Sequence, residues 1–492
     1  MQRAMWAAFF VIMAATLVRL VFAATTGLGI DESYMVAASS HFAASYFDHP
    51  LASWWLELGS RHIFGGMGPL VVRLPFILLS ILSSALLYSL TTRLYGGRAA
   101  LWAIIAYNIS PVFSLAFGCW VLPDGPLDAA LLAFAYAICR ALGIAEHPAR
   151  PSSRWWWAAG VFAGLAMLSK YNAVLVLAGA AFVLMTDPVS RPALRRAAPW
   201  GAASLAIAMF SPVIAWNAAH GWQSFHYQGG RATGWHLHPA AMFTIWGGEA
   251  LFVLPWLWLP MVVLMTAAIR RGPVDRRSWL LSLLAILPIV LFALIGTWSS
   301  TRILYHWATP GYLMLFPMLG AWLSGLSVWA RRLMVWPAAI LLAGAALAIT
   351  AAVSTAALPD LDIIFAPGKS PMLQAIDWTS INTDIPPDTQ AIAALRWYDA
   401  GKIGYAIRGH LPVTVFGADP HEFAISTPPA SLLGKNILII AMPGNIAAIG
   451  RDFAPDFKSL APGPALVVAH EGRVLLMIPT FLGKDLIRVP AA

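Results

Sequence analysis

MWAAFFVIMAATLVRLVFAATTGLGIDE, residues 5–32, runs from a long apolar stretch, holding a single charge at Arg19, straight into two adjacent acids. The apolar part, about 5–26, is long enough to cross the roughly 30 Å hydrocarbon core of a bilayer. A cleaved signal peptide has a shorter apolar core, about 7–15 residues. Ten further apolar runs follow, so residues 5–26 read as an uncleaved first helix. The whole chain agrees with this reading. It is 59% hydrophobic and 11% charged, with mean hydropathy +0.71, whereas soluble domains carry about 25% charged residues. Continuous runs of this length exclude a β-barrel, whose strands alternate in short segments. The fold class expected is a polytopic α-helical membrane protein.

Eleven spans are expected, at about 5–26, 70–92, 99–118, 125–143, 155–169, 172–186, 198–217, 247–269, 279–296, 308–326 and 335–357. The fifth and sixth are short and meet at the turn in LSKYN. With the N-terminus in the cytoplasm, fifteen arginines fall in inner segments. Six basic residues, Arg19, Arg61, Arg73, Lys170, Arg231 and Arg302, fall in outer loops or outer span ends. This is the positive-inside bias. It accounts for the net charge of +9 without a nucleic-acid partner.

Two long loops then lie outside, 27–69 and 218–246. In the first, segments 32–46 and 51–64 read as amphipathic helices along the membrane surface, anchored by Tyr46, Phe47, Trp54 and Trp55. After residue 357 a polar, Pro-bearing linker leads to short β-like runs at 391–395, 413–417, 436–441, 465–470 and 473–479, with a helical stretch at 397–408. The domain division expected is a transmembrane domain at 1–357 and a small soluble extracytoplasmic α/β domain at 358–492. Cys119 and Cys139 fall near opposite ends of adjacent spans, too far apart for a disulfide.

The scarce acids stand just beyond the first span: Asp31 and Glu32, then Asp48-His49-Pro50. A helix of about 14 residues between them is roughly 20 Å long and lets the chain return, so that both acidic groups border one cavity. Solvated loop acids are the plain alternative for an isolated Asp-Glu pair. Cations collect at the same ends of the spans: Arg19, Arg73, Lys170 with Tyr171 beside it, Arg231, Arg302 and His306, together with Asp124. Arg and Lys bind phosphate, and a carboxylate accepts a proton from a hydroxyl. Lys170, at a span end with no compensating charge in its segment, calls for an anion. Trp54, Trp55, Trp120, Trp222 and Trp235 suit either sugar stacking or interfacial anchoring. Acids and histidines offer metal ligands, and His236 and His238 form an HxH pair. No spaced ligand cluster accompanies them, so metal-independent chemistry without a cofactor is expected.

The run DESYMVAASSHFAASYFDHPLASWW, then GPLVVRLPFILLSILSSALLYSLTTRLYG, LPDGPLDAALLAFAYA, GLAMLSKYNAVLVL, HGWQSFHYQGGR and HWATPGYLMLFPML, resembles the bacterial dolichyl-phosphate-mannose-protein mannosyltransferase-like family over residues 5–330. This GT-C group includes the aminoarabinose lipid A transferases. The resemblance implies a GT-C fold and a membrane transferase that takes a sugar from a polyprenyl-phosphate donor at the outer face of the bacterial inner membrane. It implies Asp31 as the catalytic candidate. The aminoarabinose branch has Glu-Lys-Pro where this chain has Asp48-His49-Pro50, and the lysine there is associated with lipid-phosphate binding. With His49 in its place, Lys170 or Arg302 is the expected phosphate contact, and Arg19 a further one. Glu32 and Asp48 are expected to position the sugar or the attacking group.

The acceptor expected is lipid A or core, another envelope glycan, or a protein hydroxyl, and the other partners are membrane lipids. A transporter or flippase of lipid-linked sugars is the rival, and a non-catalytic assembly subunit a third reading. Transporters favour inverted repeats and polar residues near the midplane, and neither is visible here. In the C-terminal domain, RWYDAGKIGYAI and GADPHEFA carry no chemistry that the sequence identifies, and domain packing is their plain reading.

Overall fold

In the computed structural model of the chain, the described residues are 2–147, 150–234, 237–354, 371–442 and 446–490. Trp235, His236 and the first part of the expected linker, 358–370, lie outside them. The chain divides into two compact units. One comprises Met1–Leu20, Ala43–Ser53 and Leu74–Gly344; the other comprises Val21–Phe42, Trp54–Arg73 and Ala345–Ala492.

Among the described residues, the α-helices of eight or more residues before residue 355 are α1 (Gln2–Thr25), α2 (Ile30–Ala38), α3 (Ala52–Phe64), α4 (Pro69–Ile109), α5 (Asp124–Leu142), α6 (Arg154–Ser169), α7 (Ala173–Thr186), α8 (Ala197–Ala219), α9 (Gln223–Gly230), α10 (Ala241–Val253), α11 (Pro255–Arg271), α12 (Arg276–Ile295), α13 (Thr309–Gly325) and α14 (Val328–Ser354). Among the described residues, seven helices are long and apolar enough to cross a bilayer. Over the described residues each of the eleven expected spans is largely helical, and the protein is a multi-pass membrane protein.

Local chemistry explains where the helices depart from expectation. α4 holds two spans, turned at Gly96, whose φ of 83° only glycine adopts without strain. The Asn108 amide donates to Ser84 Oγ at 3.1 Å. These residues lie equally far on either side of Gly96, so the chain folds back there as a helical hairpin. The α-helical part of the third span stops at Ile109, ahead of Pro111, and continues as a π turn over Val112–Ala116. The expected span 247–269 is two helices, α10 and α11, because Leu254 takes φ 88° before Pro255. Small residues bring helices close: a Cβ on Gly160 of α6 would lie 2.6 Å from the Ala202 carbonyl oxygen of α8.

The expected helix 32–46 is shorter and begins earlier, at Ile30. It ends at Ser39, whose hydroxyl turns back to the Val36 carbonyl. Arg61 Nη1 of α3 takes the carbonyls of Val36 and Ser39. Asp31 and Glu32 are therefore inside the first turn of α2, where the helix dipole favours acids.

In the second unit, β1 (Ala391–Ala394), β2 (Val413–Val415), β3 (Ile437–Ile440), β4 (Phe457–His470) and β5 (Arg473–Leu486) form one sheet in the order β2-β1-β3-β5-β4. β2, β1 and β3 are parallel, and β5 runs antiparallel to both β3 and β4. Helix α15 (Trp397–Ala406) connects β1 to β2. All five expected strands are present, and the last two are longer than the sequence suggested. Pro462 and Pro464 disguise the first half of β4, and they are tolerated because β4 is an edge strand.

Candidate active site

Within the first unit, α5 begins at Asp124, and α6 ends into a short turn carrying Lys170, Tyr171 and Asn172 before α7. The Lys170 ammonium donates to both Asp124 carboxylate oxygens, at 2.9 and 2.8 Å, and both side chains are buried. The expectation of an uncompensated lysine is corrected here. Its counter-charge is a carboxylate 46 residues earlier, a pairing that local sequence does not show.

Lys170, but not Asp124, lines a pocket of about 90 Å³ together with His49, Tyr171, Asn172, Gln228, Arg231 and, on its apolar side, Phe292, Ile303 and Trp307. The Arg231 guanidinium stacks on Tyr227 and Trp307, at 4.3 and 4.9 Å from the ring centres, and donates to the Tyr227 hydroxyl at 2.6 Å. Tyr171 and Ser224 share a hydrogen bond of 2.6 Å. Gln228 Nε2 donates to the Asp48 carbonyl at 2.6 Å, which ties the 43–53 segment to α9.

Two polar atoms of this lining are buried without a hydrogen-bond partner among the described residues: His49 Nδ1 and Asn172 Oδ1. The Asn172 Nδ2 donates to the Trp307 carbonyl at 3.1 Å, which fixes the amide so that its oxygen is the unmatched group. Buried polar groups are nearly always satisfied, so these atoms mark where a ligand's polar groups fit. Burial lowers His49 to about 3; Lys170 and Arg231 lower it further, while Asp48 and Asp124 oppose them. Burial and Lys170 likewise lower His306 to about 4. Both imidazoles are neutral near pH 7, leaving Lys170 and Arg231 as the cations of this site.

The remaining expected residues fall elsewhere. Arg19 is fully buried inside the helices, donating to the Ser114 carbonyl at 2.7 Å and to Asn108 Oδ1 at 2.8 Å. Arg302 is exposed, with its guanidinium 5.9 Å from the Tyr305 ring centre. Neither lines the pocket.

In the second unit, Asp31 is exposed on the first turn of α2 and its neighbour Glu32 is buried. Arg73 donates to both Glu32 oxygens, at 2.8 and 2.6 Å, and to the carbonyls of Thr26 and Gly27 at 2.9 and 2.7 Å. Glu32 also accepts from the Gly29 amide at 3.0 Å. Arg73 and Glu32 thus hold the end of α1 and the start of α2 in one arrangement. Glu57 of α3 accepts from the Ser39 hydroxyl, and burial raises it to about 8, although Arg61 and Ser39 oppose that shift.

The sequence brought forward His49, Lys170, Tyr171 and Arg231, and the structure places all four in one pocket. It did not single out Asn172, Gln228 or Trp307. Their signal lay inside motifs already quoted, as the last residue of SKYN, the glutamine of HYQGGR and the tryptophan of HWATPGY.

A profile described as dolichyl-phosphate-mannose-protein mannosyltransferase matches residues 48–216. The structure of ArnT from Cupriavidus metallidurans in the apo state is similar with TM-score 0.64 at 16% identity, covering 98% of this chain and 98% of that one. The structure of the same protein bound to undecaprenyl phosphate is similar with TM-score 0.63 at 17% identity, covering 96% and 97%. No curated protein sequence matches. The chain has the GT-C fold that the resemblance implied, and the family match and the fold together indicate a membrane glycosyltransferase.

Proposed function

We propose that the chain transfers a sugar from a polyprenyl-phosphate donor to an extracytoplasmic acceptor, with inversion, at the outer face of the bacterial inner membrane. The observation that supports this reading best is the pocket of the first unit. Buried Lys170 and half-buried Arg231 stand beside an amide oxygen and an imidazole nitrogen that lack partners among the described residues. A phosphate answers the cations and a sugar hydroxyl answers Asn172 Oδ1. ArnT, whose fold this chain shares, has been captured with undecaprenyl phosphate, and a lipid phosphate is the matching ligand here.

In this proposal Asp31 takes the acceptor's proton as the acceptor oxygen attacks the anomeric carbon. The bond from that carbon to the phosphate oxygen breaks, and the lipid phosphate departs with the electron pair. Lys170 and Arg231 neutralise it, the kind of preorganised charge that lowers such barriers most. Glu32 and Arg73 keep the first turn of α2 in place, and no metal or other cofactor is invoked. The acceptor belongs to the class of envelope lipids, glycans or protein hydroxyls.

The test uses the full chain in nanodiscs, with undecaprenyl phosphate and with polyprenyl-phosphate hexoses and pentoses. Binding of undecaprenyl phosphate that Arg231→Ala weakens, together with sugar transfer that Asp31→Asn abolishes, is the expected result. A wild-type chain that binds none of these lipids overturns the proposal.

A further inference from the structure

The C-terminal stretch RWYDAGKIGYAI, residues 396–407, carries no chemistry that the transfer reaction uses. Within the second unit it forms α15, and α15 lies directly against α2. Two glycines make the close approach: a Cβ on Gly401 would lie 2.7 Å from Tyr34 Cα, and one on Gly404 would lie 2.9 Å from Ala37 Cβ. Small residues three apart are what let two helix backbones meet at this distance.

Between the glycines, Lys402 is buried and reaches the chain just before α2. Its ammonium donates to the Leu28 carbonyl at 2.8 Å and to the Ile376 carbonyl at 2.9 Å, and lies 5.3 Å from the Trp378 ring centre. Burial lowers Lys402 to about 8; Asp377 and Glu32 raise it and Arg73 lowers it. Its charge, and with it the full set of donors, is kept at neutral pH. Gly27 adds a backbone link, its amide donating to the Ala375 carbonyl at 2.8 Å.

Further along α2, the Tyr34 ring meets Trp397 edge-on at 5.0 Å and Phe423 at 5.8 Å, and its hydroxyl accepts from the Glu422 amide at 2.9 Å. Tyr405 and Arg408 both donate to the Met67 carbonyl, just ahead of α4, at 2.9 and 3.0 Å. One short C-terminal helix with its flanks therefore grips both ends of the 28–67 segment.

We infer that α15 is the seat of α2, and that Gly401, Lys402 and Tyr34 are positioning residues that fix where Asp31 points. The inference rests on the role proposed above for Asp31. It makes the C-terminal domain a part of the transferase machinery and not an appended module.

The test separates anchoring from chemistry. A nitroxide is placed on Asp31→Cys in full-length chain carrying Cys119→Ala and Cys139→Ala, and its mobility is read by electron paramagnetic resonance. Lys402→Met or Gly401→Val should mobilise the label. Tyr34→Phe, which keeps the ring and loses one acceptor, should do so to a smaller extent and guards against a variant that does not fold. In unlabelled protein, Lys402→Met should lower kcat on the order of 10–100-fold with undecaprenyl phosphate binding unchanged. It should add nothing further in an Asp31→Asn background. A label equally immobile in all variants overturns the inference, as does a mobilised label with normal turnover. Full turnover in Asp31→Asn alone overturns instead the proposed role of Asp31, whatever the label reports.

Discussion

The ammonium of Lys170 sits within 2.9 Å of both carboxylate oxygens of Asp124, and both side chains are buried. Removing one partner leaves the other buried and charged, which typically costs about 3–5 kcal/mol. Asp124→Asn and Lys170→Met should each lower the unfolding temperature, and the double variant should recover much of the loss. Thermal unfolding in detergent measures all three. Additive losses would mean the two charges do not depend on each other.

The same dependence applies to Arg73 and Glu32, which are also buried. Glu32→Gln should destabilise the protein by about 3–5 kcal/mol. A Glu32→Gln chain that unfolds like wild type but turns over slowly would return Glu32 to the chemistry.

Asp31→Asn keeps size and one acceptor oxygen. A positioned general base contributes about 10²–10⁴-fold, so turnover should fall by that factor while undecaprenyl phosphate still binds. Steady-state transfer and lipid binding, measured on one preparation, check this.

Asn172→Ala should leave undecaprenyl phosphate affinity unchanged and weaken binding of a polyprenyl-phosphate sugar by roughly 10-fold, the scale of one lost hydrogen bond. Competition between the two lipids reads the difference. Equal losses for both would place the phosphate, not the sugar, at Asn172.

Two pH responses of opposite sign should be separable. His49 is lowered from 6.5 to about 3, so below pH 6.5 the unfolded chain binds the extra proton. Stability contributed at this residue is present above 6.5 and lost progressively as pH falls toward 3, and His306, lowered to about 4, adds to the loss. Glu57 is raised from 4.5 to about 8, so the folded chain holds the proton between these values. Its contribution is full below 4.5 and lost as pH rises through 8. His49→Gln should flatten the loss of unfolding temperature as pH falls from 6.5 toward 3, and Glu57→Gln the loss as pH rises from 4.5 to 8.

Spans were legible because a bilayer demands a long apolar run, and each run names itself. The strands β1, β2 and β3 were legible for a similar reason, as short continuous apolar runs. What the sequence hid were partnerships set by distant residues. Lys170 looked uncompensated because Asp124 is 46 positions away, and Arg73 looked free to bind phosphate because Glu32 is 41 positions away. Asn172 was silent because an asparagine in a turn is ordinary until its oxygen is found buried and unmatched. The role of α15 was hidden in two glycines, which mean nothing until a second backbone is seen where a Cβ would stand.

The hairpin turned at Gly96 bears on how the chain is built. With no loop between its arms, the second and third spans have to enter the bilayer as one object. Until they arrive, α1 holds Arg19 in the membrane without these partners, and a charge inside a bilayer is costly. The arm after Gly96 brings Asn108, whose carbonyl oxygen accepts from Arg19 while its amide reaches back to Ser84 of the other arm. One asparagine thus joins three successive spans, so the first span gains its lasting hold only after its successors are synthesised.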